Sequence, residues 1–320
     1  MNDLVSLTLN PAVDVSATVD RVVRVHKLRC SYEVSHPGGG GINVSRVALR
    51  LGSSTLALFP SGGVMGQALE TLLEEEHLPL QAVPIAQTTR QNFSIHESVS
   101  GQDFRFVLPG PLLSEAEITA CLDAFVAHLP LARHAVVSGS LPAGAPDDIY
   151  ARLSLRAQSA GHRLVLDASG EPLRLALATG VALVKPSQRE LSELVGHPLS
   201  QESDIRDAAA SLVERHQADT IAVSLGEAGA LVVTAHHHWR ARALPVPVRS
   251  TIGAGDSFLG GWLHGWQQPD APSQDETSRL LQAFRWAMAT AASAVSSYGT
   301  ALIDPHQVRS LLPQVNIEQL

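Results

Sequence analysis

The feature that most constrains the fold is a regular alternation of strand-like and helix-like segments, which begins near residue 113. Short apolar runs are followed by longer amphipathic stretches, with a few polar residues between them. The predicted helices are Glu115–His128, 147–160, 172–178, Gln188–Val195 and 205–216, and the predicted strands are 134–138, 163–167, 181–185 and 220–224, followed by a hairpin over 230–234 and 239–243. Such alternation predicts a mostly parallel sheet covered by helices on both faces, which binds ligands at the carboxyl ends of its strands.

The amino-terminal third differs, because charged residues are mixed into its strand-like segments. A buried first strand over 4–9, a helix over 42–51, a strand over 55–59 and a helix over 67–76 are predicted. Segment 13–34 and a hairpin over 91–97 and 102–108 instead combine apolar and charged residues, which is typical of strands with one wet face. We therefore predict one α/β domain over 1–320 with a small discontinuous β-sheet lid formed by about 13–35 and 88–108.

The composition of the chain indicates which kinds of partner it can bind and in which cellular compartment it is expected. The formal net charge of the 320 residues is −8, which argues against a nucleic-acid partner. No segment approaches the roughly 20 apolar residues of a membrane span, and the first residues lack the pattern of a signal peptide. The two cysteines, Cys30 and Cys121, match no metal-binding spacing, so we expect them to be reduced in a cytoplasmic protein.

A glycine-rich turn, Gly253-Ala254-Gly255-Asp256, precedes an apolar helical pattern and follows a predicted strand over 243–248. The first turn of a helix presents unpaired backbone N–H groups, and small residues let an anion approach them closely. Asp256 could take a proton from a hydroxyl while these N–H groups stabilise charge on a phosphoryl group that is being transferred. The alternative is that Asp256 only caps the helix.

Two further groups suggest a bound sugar phosphate. The glycines at 38–41 precede Asn43 on a predicted first helical turn, which favours backbone contacts to a substrate, although a hinge is also possible. Four cations fall on the predicted lid: Lys27, Arg29, Arg90 and Arg105. Each alone is typical of a solvated strand edge, but together they indicate a site for a phosphate group.

The strand ends at 185–190 and 224–229 are candidates for a nucleotide site. Ser187 and Glu190 have the spacing of a helix capping box, and Glu190 could alternatively organise Mg²⁺ through water molecules. Lys185 would then lie near nucleotide phosphates. The segment 224–229 is either a plain strand-to-hairpin connection or a nucleotide-binding turn.

Taken together, the glycine cluster at 36–43, the segment 185–190 and the turn at 253–257 resemble the PfkB/ribokinase superfamily of sugar kinases over about residues 4–310. Shorter motifs at 8–14, 27–29, 89–92, 105–106 and 138–142 resemble its phosphosugar branch, whose members phosphorylate fructose 6-phosphate, fructose 1-phosphate or tagatose 6-phosphate. The resemblance implies a ribokinase-like sheet and transfer of the γ-phosphoryl group of ATP to a sugar hydroxyl, with Mg²⁺ as cofactor. Fructose 6-phosphate is the expected acceptor.

The resemblance also implies roles for individual residues. Asp256 is the expected base, and Gly253, Ala254 and Gly255 form the anion hole. The expected sugar-hydroxyl ligands are Asp14, Gly39, Gly40, Asn43 and Ser140; the expected phosphate ligands are Lys27 and Arg90, with Arg29 contributed by a second subunit through a lid-to-lid dimer. Arg105 joins them as the remaining lid cation. The expected nucleotide ligands are Lys185, Ser187, Ser224, Gly226 and Gly229.

The sequence departs from the family pattern at two metal-related positions. Ser187 stands where the family usually has Asn, beside Glu190, the residue expected to contact Mg²⁺ through water. A potassium site would use backbone carbonyls near Ser250, Ile252, Ala294 and Gly299, but the sequence around Gly299 matches the family less well. Two other functions stay open: a catalytically silent sugar-phosphate-binding regulator, and a kinase for an unphosphorylated sugar.

Overall fold

A computed structural model describes residues 1–24, 26–268, 275–297 and 302–320 of the chain. Its strands are β1 (Asn2–Leu7), β2 (Ala12–Val19), β3 (Ser31–Gly38), β4 (Thr55–Ser61), β5 (Leu80–Pro84), β6 (Arg90–Glu97), β7 (Gln102–Val107), β8 (Ala132–Ser138), β9 (Leu164–Asp167), β10 (Val181–Val184), β11 (Ala218–Ser224), β12 (Ala230–Thr234), β13 (His238–Ala241) and β14 (Ile317–Gln319). Its helices are α1 (Gly40–Leu51), α2 (Gly63–Glu75), α3 (Glu115–His128), α4 (Ile149–Ser159), α5 (Gly170–Leu177), α6 (Gln188–Val195), α7 (Glu202–Glu214), α8 (Ala254–Trp266), α9 (Glu276–Val295) and α10 (Pro305–Leu311).

Ten strands form one large sheet in the order β14-β13-β12-β11-β10-β9-β8-β1-β4-β5. The strands from β5 to β11 in this order pair in parallel, whereas β12, β13 and β14 continue the sheet in antiparallel pairs. Helices cover both faces. The predicted fold class, a mostly parallel sheet with helices on both sides and a small separate sheet, is therefore confirmed.

Alternate residues of the central strands pack into two different cores. Leu4 lies in the core beneath α1, α8 and α9, whereas Val5 lies in the core beneath α3, α4 and α7. Both side chains are fully buried. Because successive side chains of a strand point to opposite faces, this arrangement explains why apolar residues stand next to each other in these strands instead of alternating with polar ones.

A second, four-stranded sheet has the order β3-β2-β6-β7, and we call it the small sheet. One of its faces carries Val13, Val15 and Phe93, which pack with Ile42 of α1 and Leu69 of α2. The other face carries polar side chains and lies on the side of the functional residues described below. The predicted hairpin of β6 and β7 is confirmed, with its first strand beginning one residue earlier.

The strand predicted over 243–248 is wrong. The described chain forms no strand between β13 and α8, and the N–H of Val246 instead donates to the carbonyl of Leu244 at 2.9 Å. Pro245 and Pro247 have no N–H to give to a sheet, so the extended segment cannot join the ladder. The glycine-rich turn is therefore reached by an irregular connection.

Two strands, β5 and β14, and two helices, α9 and α10, were not predicted, and other bounds differ by a few residues. Helices α3 and α6 have the predicted bounds, and each begins with a serine–glutamate capping box. Helix α2 begins at Gly63, four residues before its prediction. Among the described helices, none combines the length and the apolar character that crossing a membrane requires.

Candidate active site

Five neighbouring parallel strands end at one edge of the large sheet, and a polar residue stands at or just beyond each end. Asn10 follows β1, Ser138 ends β8, Asp167 ends β9, Lys185 follows β10 and Ser224 ends β11. The crevice beyond the carboxyl ends of such strands is where open α/β sheets bind ligands. The sequence prediction named Lys185 and Ser224 at this edge but missed Asp167.

The glycine-rich turn opens helix α8 beside this edge. Gly253 occupies the N-cap position with a φ of 72°, a left-handed conformation that favours glycine. A Cβ atom on Gly255 would lie 3.1 Å from the ammonium nitrogen of Lys185. The N–H of Ala254 makes a long hydrogen bond of 3.4 Å to the carbonyl of Thr251. The first turn of α8 and a lysine ammonium therefore lie close together, which is suitable for binding an anion.

Asp256 lies in the first turn of α8, beyond the N-cap residue Gly253, so its interpretation as the helix cap is wrong. Its Oδ2 atom accepts a hydrogen bond of 2.9 Å from the side-chain amide of Asn43 on α1. The pKa of Asp256 is raised to about 7, chiefly by burial and also by the neighbouring Asp167, although the Asn43 hydrogen bond and Lys185 act in the opposite direction. A carboxylate with such a pKa is suited to accept a proton near neutral pH.

Lys185 is buried and forms an ion pair of 3.3 Å with Asp167. Burial disfavours its charge, but Asp167, Asp256 and Glu190 more than compensate, so the pKa of Lys185 is raised. The lysine therefore remains protonated across the neutral pH range. Its positive charge faces the anion-binding turn from the end of β10.

The glycines between β3 and α1 are needed because other parts of the chain lie too close to them to leave room for a side chain. A Cβ on Gly40 would lie 2.2 Å from the hydroxyl oxygen of Ser138, and a Cβ on Gly38 would lie 2.4 Å from the carboxylate of Asp14. Gly39 has a φ of 121°. These residues bring Asp14 of β2 and the start of α1 next to the edge of the large sheet.

The polar face of the small sheet includes Asp14, Asn92 and Arg105. Asp14 accepts a hydrogen bond of 2.8 Å from the side-chain amide of Asn92, which lies opposite it on β6. Arg105 of β7 lies opposite Ser94, two residues further along β6, and therefore belongs to the same face. This face combines a carboxylate, an amide and a guanidinium.

Arg90 anchors the base of the small sheet. Its guanidinium donates to the backbone carbonyls of Asn10 at 2.9 Å and Leu108 at 3.0 Å. Its Nε atom is buried and has no acceptor in the described part of the chain. Burial lowers the pKa of Arg90, and the carboxylate of Asp14 partly offsets this effect.

Some of the predicted substrate-binding residues make few contacts with the site at the edge of the large sheet. Lys27 and Arg29 are exposed on the connection between β2 and β3, and neither makes an ion pair or hydrogen bond within the described residues. Ser140 is exposed, but its hydroxyl lies 3.3 Å from the side-chain amide nitrogen of Asn10. The roles of these residues stay predictions.

The two strand ends predicted to bind a nucleotide meet in space. Ser187 forms an isolated parallel β-bridge with Ser224, and both line a cleft of about 810 Å³ together with Gly226. Gly229 has a φ of 111°, and a Cβ there would lie 2.1 Å from the carbonyl oxygen of Ala241. The connection between β11 and β12 therefore requires glycine for structural reasons as well.

The capping box predicted at Ser187 and Glu190 is confirmed. Oε2 of Glu190 accepts hydrogen bonds from the backbone N–H and the hydroxyl of Ser187, at 2.8 and 2.9 Å. The other carboxylate oxygen has no hydrogen-bond partner among the described residues. Residues 1–24, 26–268, 275–297 and 302–320 contain no group of three or more metal-ligating side chains. The carboxylate oxygen of Glu190 that has no partner among these residues fits a contact through water to a Mg²⁺ ion held largely by nucleotide phosphates.

The residues predicted to bind potassium lie near one another where they are described. The N–H of Ser250 donates to the carbonyl of Val295 at 3.3 Å, next to Ala294 at the end of α9. The carbonyl of Ala294 accepts a hydrogen bond of 3.0 Å from the N–H of Ser297. Ile252 lies two residues from Ser250, and Gly299 is outside the described residues. This arrangement fits a carbonyl-lined cation site only in part.

Comparison with known proteins assigns a family to this arrangement. The chain matches the family described as pfkB family carbohydrate kinase over residues 1–307. It is 39% identical to ATP-dependent 6-phosphofructokinase isozyme 2 of Escherichia coli over 298 residues, which cover 93% of this chain and 94% of that protein. It is 34% identical to 1-phosphofructokinase of Xanthomonas campestris over 284 residues, which cover 88% of this chain and 89% of that protein.

Solved structures agree with the sequence comparison. Phosphofructokinase-2 from Escherichia coli in complex with fructose-6-phosphate superposes with a TM-score of 0.88 and 35% identity, covering 98% of this chain and 99% of that chain. The same coverage holds for its complex with potassium, with a TM-score of 0.90 and 36% identity, and for its tetrameric inhibited form, with a TM-score of 0.87 and 35% identity.

Proposed function

The chain belongs to the pfkB family of carbohydrate kinases, and we propose that it is an ATP-dependent phosphosugar kinase whose acceptor is fructose 6-phosphate. The reaction converts fructose 6-phosphate and ATP into fructose 1,6-bisphosphate and ADP. One observation carries the proposal: Asp256, with a pKa of about 7, lies in the anion-binding first turn of α8 beside the buried Lys185. A carboxylate in a site built for phosphate serves as a base for the attacking hydroxyl.

In the proposed reaction Asp256 accepts the proton of the 1-hydroxyl as its oxygen attacks the γ-phosphorus of ATP. The N–H groups at Gly253, Ala254 and Gly255 stabilise the negative charge on the phosphoryl group, with Lys185 close by. Lys185, Ser187, Ser224, Gly226 and Gly229 bind the nucleotide. Mg²⁺, when bound, neutralises phosphate charge, and Glu190 contacts it through water.

The sugar occupies the space between the turn and the small sheet. Asp14, Gly39, Gly40, Asn43 and Ser140 bind its hydroxyl groups, and its existing phosphate binds to Arg90, Lys27 and Arg105. Arg90 supports this assignment, because the backbone carbonyls of Asn10 and Leu108 hold its guanidinium at the base of the small sheet, close to the strand ends. K⁺ is a possible further ligand at Ser250, Ile252, Ala294 and Gly299, because the Escherichia coli enzyme has been solved with potassium.

The small sheet is proposed to act as a lid and as the contact surface of a homodimer. The sheet and its loops carry several large apolar side chains that are between 37% and 59% exposed: Val22, Val23, Leu28, Phe106 and Val107. An exposed apolar group of this kind marks an interaction surface. Arg29 would then reach the sugar phosphate of the second subunit. Both cysteines are unpaired, as expected for a protein of the reducing cytoplasm.

The principal alternative is a different phosphosugar as the acceptor. The chain also resembles 1-phosphofructokinase, and tagatose 6-phosphate differs from fructose 6-phosphate only in the configuration of one hydroxyl group. A silent regulator is less well supported, since such a protein has no use for a base in the anion site. A kinase for an unphosphorylated sugar would not need the cations of the small sheet.

A coupled assay of ADP release distinguishes these functions. The purified protein with Mg-ATP is offered fructose 6-phosphate, tagatose 6-phosphate, fructose 1-phosphate and free fructose. We expect the highest kcat/KM with fructose 6-phosphate and at least tenfold less with free fructose. Activity only with fructose 1-phosphate would replace the named substrate, and no turnover of any sugar phosphate would contradict the kinase assignment.

A further inference from the structure

Arg46 is a fully buried charged residue on α1, one turn after Asn43, and no part of the proposed reaction uses it. Its Nε atom donates to a carboxylate oxygen of Glu76 at 2.8 Å, and an Nη atom donates to the other oxygen. Its second Nη atom lies 3.0 Å from both the backbone carbonyl of Pro37 and the Oδ1 atom of Asn43. Because its side chain has no exposed surface, Arg46 cannot touch a substrate directly.

These contacts fix the orientation of the Asn43 amide. A guanidinium can only donate hydrogen bonds, so the Asn43 atom that faces Arg46 has to be the oxygen. The amide nitrogen must then point the opposite way, and it donates to Asp256 at 2.9 Å. Rotating the amide by 180° would place its oxygen against the Asp256 carboxylate and its NH₂ group against the Arg46 guanidinium, and both contacts would be repulsive.

We propose that Arg46 is a positioning residue for phosphoryl transfer, because it locks the Asn43 amide in the one orientation that donates a hydrogen bond to Asp256. This inference rests on the proposed role of Asp256 as the base. The chain of contacts runs from Glu76 at the end of α2, through Arg46 and Asn43 on α1, to Asp256 on α8. Its last hydrogen bond stabilises the ionised form of the base and holds the carboxylate in place.

The consequence is a change in the pH dependence of the reaction. The charged groups that face Asp256 are Lys185, Asp167 and Asp14, and none of them is substituted in the test. Arg46 lowers and Glu76 raises the pKa of His36 on β3, so variants that remove these charges also change the titration of His36, whereas Arg46→Lys keeps both charges. If the Asn43 amide is free to rotate, the ionised form of Asp256 loses a donor. The acidic limb of kcat/KM should therefore move to higher pH, so that activity is lost at pH 6 but largely kept at pH 9.

The test compares two variants that share the same lost ion pair. Glu76→Gln removes the negative partner but leaves Arg46 able to hold Asn43, whereas Arg46→Met combined with Glu76→Gln removes the guanidinium as well. We expect the midpoint of the acidic limb to rise by about one pH unit in the double variant, which is roughly tenfold less kcat/KM at low pH. Glu76→Gln should keep the wild-type midpoint, although it lowers the melting temperature.

Arg46→Lys provides a second route if the double variant does not fold. A lysine can keep the ion pair with Glu76, but its one nitrogen replaces donor atoms that lie on different sides of the guanidinium, so it cannot pair with Glu76 and hold the Asn43 oxygen with the same geometry, and the same upward shift is expected. The shift should be absent when Arg46→Lys is introduced into an Asn43→Ala protein, because the effect passes through Asn43. Leu73→Ala, which opens a cavity in the core beside the small sheet, controls for lost stability alone.

Equal midpoints in Glu76→Gln and the double variant would overturn the inference, as would a shift in Leu73→Ala of the same size. A shift caused by Arg46→Lys that persists without Asn43 would also overturn it. Failure of Asp256 as the base is a separate result, since it would appear as retained activity in Asp256→Asn with the wild-type Arg46.

Discussion

At the scale of single residues, Asp256 is the side chain on which the proposed chemistry depends. Asp256→Asn keeps the size of the side chain and an acceptor for Asn43 but cannot take a proton. We expect kcat to fall by about two to four orders of magnitude, the usual range for a lost general base. Steady-state kinetics with fructose 6-phosphate measure the effect, and KM should change little. A variant with more than about a tenth of the wild-type kcat would contradict the role as base.

The same substitution should stabilise the protein at high pH. Burial raises the pKa of Asp256 from 3.8 to about 7, so the folded state binds this proton more tightly than the unfolded state does. The ionised carboxylate therefore lowers stability progressively as the pH rises from about 4 to 7, and the cost stays constant above that range. At pH 8 the melting temperature of Asp256→Asn should be a few degrees higher than that of wild type. Near pH 4 the two melting temperatures should be equal. Thermal unfolding at the two pH values measures this, and a lower melting temperature at pH 8 would contradict it.

The pH dependence of the wild-type reaction follows from the same raised pKa. Protonation of Asp256 removes the base, so kcat/KM should fall as the pH drops below about 7 and should be roughly tenfold below its plateau at pH 6. The phosphate group of the substrate also titrates in this range. The residual activity of Asp256→Asn is the control, because it retains the titration of the substrate but lacks that of the base. An acidic limb at the same midpoint in both proteins would exclude Asp256 as its origin.

Arg90 tests whether the substrate must carry a phosphate. Arg90→Ala and the removal of the phosphate from fructose 6-phosphate each delete the same charge-assisted contact, which is worth roughly 1.5–3 kcal/mol. Either change alone should reduce kcat/KM at least about tenfold, and the two together should be far less than additive. The test measures four values of kcat/KM, for wild type and Arg90→Ala, each with fructose 6-phosphate and with free fructose. Independent, multiplying effects would mean that Arg90 acts only through its hydrogen bonds to the backbone carbonyls of Asn10 and Leu108.

At the scale of the elements, the sequence predicted best those segments in which local chemistry and tertiary packing agree. Helix α6 has an unambiguous serine–glutamate start and an apolar stripe, and it was placed to the residue. The segment 243–248 has the extended character of a strand, but its two prolines exclude ladder hydrogen bonds, so it stays outside the sheet. The short strands β5 and β14 each join the sheet at an edge and have little pattern of their own.

The candidate site divides in the same way. Glycines and strand-end polar residues such as Lys185 could be found from motifs, because their types are set locally. Asp167 and Arg46 could not, because their importance comes from partners distant in the sequence: Lys185 for the first, and Glu76 and Asn43 for the second. The available signals were weak: an aspartate that closes an apolar run, and a charged residue one turn after Asn43.

The start of α6 offers a prediction about a single element. Ser187→Ala removes the hydroxyl that accepts from the N–H of Glu190, and it should lower the free energy of unfolding by about 1 kcal/mol. Ser187→Asn, which restores the residue usual in the family, keeps a good cap and should retain the stability. Denaturant unfolding of the three proteins measures this. If Glu190 also contacts Mg²⁺, the KM for Mg-ATP should rise in Ser187→Ala, because the cap no longer orients the carboxylate; an unchanged KM would restrict Ser187 and Glu190 to the cap.

At the scale of the whole molecule, the small sheet carries apolar side chains that the described part of the fold leaves exposed. Phe106 of β7 is 54% exposed, and Leu155 of α4, on a helix that covers the large sheet, has the same exposure. If the small sheets of two chains pack together, Phe106→Glu places a charge in the contact and should shift the protein towards monomer, whereas Leu155→Glu should not. Light scattering at micromolar concentration, with kcat/KM measured on the same samples, tests this. The monomeric variant should also bind fructose 6-phosphate more weakly if Arg29 acts across the dimer. A wild-type monomer, or equal assembly of both variants, would remove the basis for a contact through the small sheet.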